Sequence, residues 1–137
     1  MSEFKNPSNS EIDDILRSSK RIAVVGMSSK PERASHGVSK HLIKRGYEVV
    51  PVNPMEPEVL GLKSYASLKD VPGTIDIVDV FRRSDQTDPI IDDAIAIKAK
   101  VLWLQEDVIN DSGAARAQQA GLKVIQDRCI AKELIRL

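Results

Sequence analysis

The residues best equipped for chemistry stand together near the start of the chain: Gly26, Met27, Ser28, Ser29, Lys30 and Arg33, with His36 at the start of the next segment. A glycine, two hydroxyls and two cations in so short a run describe an anion cradle. Glycine permits a tight bend. The amides that follow it, and the first turn of a helix behind it, present free N–H groups to which the helix dipole adds positive potential. A basic pair, Arg82-Arg83, directly follows an apolar run ending in Phe81. Arginine suits phosphate because its fork is planar and bidentate. The chemistry implied is the holding of several phosphates of a nucleotide-bearing cofactor.

Such a cradle works only if strands and helices deliver its parts to one edge. Arg21–Val25 reads as a strand covered on both faces, because its apolar run is unbroken. Residues 35–45 follow as a helix, with Val38, Leu42 and Ile43 on its inner face and Gly46 at its C-terminal cap. A second strand, 47–52, ends in Asn53-Pro54 before a loop to Leu62, and Pro51 moves it towards a sheet edge. Ser67 to Asp70 forms a short helical turn. Strand 75–81 precedes the basic pair, and Asp88-Pro89 opens a helix to about Lys98, with Asp88 as its cap. Strand 101–105, a helix from Asp111 or Ser112 to Gly121, strand 123–126 and a last helix, 130–136, complete the chain. Ahead of them Ser10 caps a first helix carrying Ile12, Ile15 and Leu16, and residues 1–9 form a loose lead-in.

Regular alternation of strands and helices with short connections calls for right-handed crossovers and an α/β fold. The expectation is one domain over residues 1–137: a doubly wound, five-stranded, mostly parallel sheet with helices on both faces. Ligands of such sheets bind outside the carboxyl ends of the strands, where strand order reverses. That adds Asn53, Pro54, Phe81 and Gln105 to the candidate contacts.

The totals narrow the function classes. Lys and Arg number 20 against 20 Asp and Glu, and aromatics are only 4%. Neither a basic footprint nor a stacking platform for nucleic acid follows. The lone cysteine, Cys129, sets up no disulfide or metal site, and catalytic and metal-ligating sets are both expected to be none. Absence of a long apolar run excludes a membrane span, and the polar N-terminus points to a cytoplasmic protein. The first loop lacks G-x-G-x-x-G, and Val52-Asn53-Pro54 stands where a ribose-binding acid belongs. A nicotinamide cofactor held in the usual way is therefore disfavoured. An NAD(P)- or other nucleotide-binding enzyme or redox sensor, with Asn53 in place of the acid, stays open as the alternative.

Five runs carry a family resemblance: Val24–Pro31, Gly46–Pro54, Val78–Arg83, Leu102–Gln105 and Asp127–Ile130. In this order they resemble the single-domain CoA-binding proteins, relatives of the CoA-binding domain of the succinyl-CoA synthetase alpha subunit. The resemblance implies a Rossmann-like fold that binds CoA. The phosphate-cradle loop and its cations, without a nucleophile–base pair or metal cluster beside them, read as a non-catalytic module for CoA or an acyl-CoA. The resemblance also implies that the loop at Gly26–Lys30 takes the diphosphate and that Asn53-Pro54 flanks the adenosine. Phe81-Arg82-Arg83 would line the adenine and 3'-phosphate side, with the pantetheine arm towards the strand after Val101. Two departures from the family pattern stand out: Glu106-Asp107 where glycine is expected after Gln105, and Lys98 where glycine is frequent.

Other reactive residues have plainer readings. Trp103 belongs in the core, Cys129 is a small buried residue, and His41 is helical and exposed. Asp79, near the end of its strand, is placed to cap a loop.

Overall fold

The computed structural model describes residues 4–137. Five strands make one parallel sheet: β1 (Arg21–Val25), β2 (Glu48–Val52), β5 (Ile77–Val80), β6 (Val101–Leu104) and β7 (Lys123–Ile125), in the order β2-β1-β5-β6-β7. The remaining two, β3 (Glu58–Val59) and β4 (Leu62–Lys63), pair as a small antiparallel hairpin. The helices are α1 (Asn9–Ser18), α2 (Ala34–Lys44), α3 (Asp88–Ala96), α4 (Asp111–Gln119) and α5 (Ile130–Arg136). The expected α/β Rossmann-like architecture is present.

Strand side chains alternate between two cores, as a pleated sheet buried on both faces requires. Ile22, Val24, Ile77 and Trp103 face α1, α2 and α5 through Ile12, Leu16, Leu42 and Leu134. Ala23, Val78, Leu102 and Val124 face α3 and α4 through Ile91, Ala94, Ala114 and Ala117. Trp103 is fully buried, and its indole N–H donates to the Arg128 carbonyl at 2.8 Å. Pro51 sits in the edge strand β2, where its carbonyl accepts from Tyr65.

Several local expectations are corrected. Ser8, not Ser10, caps α1, its hydroxyl accepting from the Glu11 amide at 3.2 Å. Residues 1–3 of the lead-in lie outside the described residues, but the rest of it is not loose. The Asn6 side-chain amide donates to the Gln126 carbonyl at 2.9 Å and accepts from the Gln126 N–H at 2.8 Å, so one side chain substitutes for a neighbouring strand. Thr87 takes the N-cap of α3, which shifts Asp88 and Pro89 into its first turn. α4 starts at Asp111 as expected, with Asn110 capping it through the Gly113 amide at 2.8 Å. Ile43 is 40% exposed, because α2 turns its Leu42 stripe inward and leaves Ile43 outside. His41 is half-buried, and its Nε2 has no partner among the described residues.

Candidate functional site

The order of the sheet reverses at β1, with β2 on one side and β5 on the other. At that point the carboxyl ends of the strands open into a cleft of about 920 Å³, within the range of small-molecule sites. Gly26, Ser28, Lys30 and Arg33 line it from the first loop, and Asn53 from the end of β2. Phe81, Arg82 and Arg83 line it from the end of β5, and Gln105 from the end of β6.

The bend at Gly26 has a φ of +87°, a conformation that L side chains rarely adopt. Its amide donates to the Val52 carbonyl at 2.9 Å, which continues the sheet one residue past β1. The first turn of α2 then grips the loop from behind. Ser35 Oγ accepts from the Ser28 amide at 3.1 Å, and His36 Nδ1 lies 2.9 Å from the Ser28 carbonyl. Ser28 Oγ in turn accepts from the Lys30 amide at 3.1 Å. Asn53 fastens the other side: Nδ2 donates to the Met27 carbonyl and Oδ1 accepts from the Met55 amide, both at 2.9 Å.

Four candidate contacts therefore do not point into the cleft. Met27 is fully buried in the core beneath the loop, and His36 is buried against Ser28. Pro54 is exposed outside the lining, and the Ser29 hydroxyl and amide both donate to the Glu56 carboxylate. The expectation of free amides along the loop is corrected with them, because Ser28, Ser29 and Lys30 are engaged within the protein. The open donors shift to the helix. Arg33, at the N-cap of α2, makes no side-chain cap, and Arg33, Ala34 and Ser35 all line the cleft. An uncapped helix start facing a cavity is a seat for an anion.

Charge around the seat is mixed. Lys30, Arg33, Arg82 and Arg83 bring four cations. Arg83 pairs with Asp85 at 3.4 Å, whereas Arg82 has no ion pair among the described residues. Across the cleft Glu106 is paired with Lys132 at 3.0 Å, and this contact holds the Lys132 ammonium above its usual range. Asp107, in the Glu106-Asp107 departure from the family pattern, has a φ of +71°. Cys129 is half-buried and lines the cleft instead of packing in the core. Gln105 is buried, and its side-chain carbonyl accepts from the Ile130 amide at 3.1 Å, orienting α5 beside the cleft.

Sequence reasoning missed Glu56, Met55 and Val38 as cleft residues. The Ser29 hydrogen bonds, first that of the hydroxyl and then that of the amide, hold the Glu56 carboxyl below its usual range. Asp79 caps no loop. It is fully buried on β5, neither carboxyl oxygen has a partner among the described residues, and burial pushes its carboxyl well up. Among the described residues no three His, Cys, Asp or Glu side chains are grouped to hold a metal, and no helix is long and apolar enough to cross a membrane.

A parallel doubly wound sheet with a cleft at its switch point defines the class: a Rossmann-like α/β fold. The chain belongs to the CoA binding domain family, whose model matches residues 20–135. An uncharacterized protein of Bacillus subtilis, YneT, is 47% identical over 127 residues, covering 93% of this chain and 94% of that one. A solved structure, a hypothetical protein from Pyrococcus horikoshii, superimposes with a TM-score of 0.93 at 40% identity, covering 100% of this chain and 99% of that one. The alpha subunit of an ADP-forming acetate–CoA ligase II from Pyrococcus furiosus is 44% identical over 57 residues, which are 41% of this chain and 12% of the subunit. The chain thus matches only a small part of that ligase subunit.

Proposed function

We propose that the chain binds CoA or an acyl-CoA in this cleft, as a module that performs no reaction on it. One observation carries the reading: the uncapped start of α2 and four cationic side chains meet in a single cleft at the switch point. CoA presents a diphosphate and a separate 3'-phosphate, and that charge suits a helix start flanked by arginines. Membership of the CoA binding domain family supports the same ligand. The polar groups nearest the loop support a binding role, since Ser28, Ser35, His36 and Asn53 are engaged in shaping its backbone.

One observation favours a second reading. Glu56 folds back to within 3.4 Å of Asn53 Nδ2, so a carboxylate stands near the end of β2 after all. In nicotinamide-binding folds an acid there holds the ribose diol. Calorimetry with CoA, acetyl-CoA, NAD and NADP separates the two. Saturable heat with CoA or its thioester and none with NAD or NADP supports the first reading. Binding of NAD or NADP without a response to CoA replaces it with the second. A vestigial pocket predicts that no nucleotide raises the melting temperature.

A further inference from the structure

Among the described residues, Glu56 is the one anion in direct hydrogen-bond contact with the first loop. Its Oε2 accepts from the Ser29 amide at 3.1 Å, and its Oε1 accepts from the Ser29 hydroxyl. Asn53 Nδ2 lies 3.4 Å from the same carboxylate, and Lys30 contributes favourable charge. Glu56 also lines the cleft, so it sits on the path of any anion approaching the loop. A carboxylate accepting from an amide and a hydroxyl at a glycine-started bend makes the contacts that a phosphate oxygen would make there.

We propose that Glu56 is an internal latch: its carboxylate occupies the Ser29 donors, and a diphosphate-bearing ligand binds by displacing it. This rests on the CoA reading for its ligand, and it adds a device that sets affinity. The segment that carries Glu56 lies outside the five-stranded sheet. It lies between β2 and the small β3–β4 hairpin, its residues 54 and 55 are exposed, and the Met55 and Glu56 amides both donate back to Asn53, at 2.9 and 3.4 Å. Ligand affinity is then reduced by the fraction of molecules whose latch is open. A ligand without phosphate has no reason to displace Glu56 and is indifferent to it.

The test compares the full-length wild type with Glu56→Ala and Glu56→Gln by calorimetry, using CoA, pantetheine and inorganic pyrophosphate. The account expects Glu56→Ala to bind CoA and pyrophosphate about tenfold more tightly, with pantetheine unchanged, as removal of a closed state predicts. Glu56→Gln, which keeps the shape and loses the charge, shifts affinity in the same direction by less. If CoA binds the variants no better than the wild type, the latch is wrong while the CoA reading survives. Weaker binding would make Glu56 a ligand contact instead, which also overturns the latch. Tighter pyrophosphate binding without any CoA binding retains the latch and removes the CoA reading. If neither anion binds any of the proteins, the Ser29 donors are no phosphate seat and the latch falls.

Discussion

A Cβ at position 26 would lie 2.4 Å from the carbonyl oxygen of Phe81. The two residues are the first beyond β1 and β5, whose pairing brings Val25 opposite Val80 and lets the Phe81 amide donate to the Val25 carbonyl at 2.9 Å. The bend that starts the anion seat and the strand end that carries Arg82 are therefore in backbone contact. Only glycine permits it, through the absence of a side chain and through a φ of +87°.

Gly26→Ala should cost about 2–4 kcal/mol, combining the left-handed penalty with a clash against backbone that cannot step aside. Urea denaturation measures it. An effect below about 0.5 kcal/mol, the range of an ordinary surface substitution, would contradict the close approach.

The two arginines after β5 are not equivalent. Arg83 is exposed and paired with Asp85, while Arg82 is half-buried at the cleft wall. Loss of a charged hydrogen bond predicts that Arg82→Ala with Arg83→Ala weakens CoA more than dephospho-CoA, by about 1–3 kcal/mol. Arg82→Ala alone should account for most of the difference. Equal losses for both ligands would move the 3'-phosphate away from this pair.

Much of the fold was legible in the sequence because its signals are local. Unbroken apolar runs, turn residues and helical spacing suffice for β1, α2, β6 and α5. What escaped depends on partners far along the chain. Asn6 joins Gln126, and Glu56 reaches back to Ser29, and no local pattern distinguishes these side chains from solvated ones. The β3–β4 hairpin escaped because each strand has two residues and its tip is Leu60-Gly61 instead of a stronger turn pair. The site was legible as a set of strand ends. Which loop amides stay open was not, since Ser35 and Ser28 turn inward to satisfy them.

Lys98 and Asp107 both hold positive φ, +57° and +71°, at or beside the positions where the family resemblance leads one to expect glycine. Replacing either with glycine removes a strain of roughly 1 kcal/mol, partly offset by the greater freedom of the unfolded chain. Lys98→Gly should thus raise the melting temperature by a few degrees. A lower melting temperature would mean that the lysine side chain contributes more than its backbone costs.

Asp79 predicts a pH dependence of the less usual sign. Its folded carboxyl retains a proton to higher pH than the unfolded one, because burial opposes the charge. Between those two pKa values the unfolded chain binds fewer protons, so stability contributed at this site falls as pH rises above about 4. Asp79→Asn removes the titration. The stability of Asp79→Asn relative to wild type should rise with pH by up to about 1.4 kcal/mol per unit in that window. Asp76 titrates in the opposite sense. Although burial pushes it up, the amides of Arg21 and Lys20 and the Lys100 side chain hold it below its usual range. It is present in both proteins and cancels in the comparison. A difference that does not vary with pH would show that Asp79 is ionised in the fold.

The central claim is that a phosphate of CoA sits at the start of α2. Amide chemical shifts followed by two-dimensional NMR during a CoA titration test it at residue level. The account predicts saturable shifts led by Ala34 and Ser35, with Ser29 joining as Glu56 is displaced. Saturable shifts confined to other surfaces, with these three amides unmoved, would contradict it.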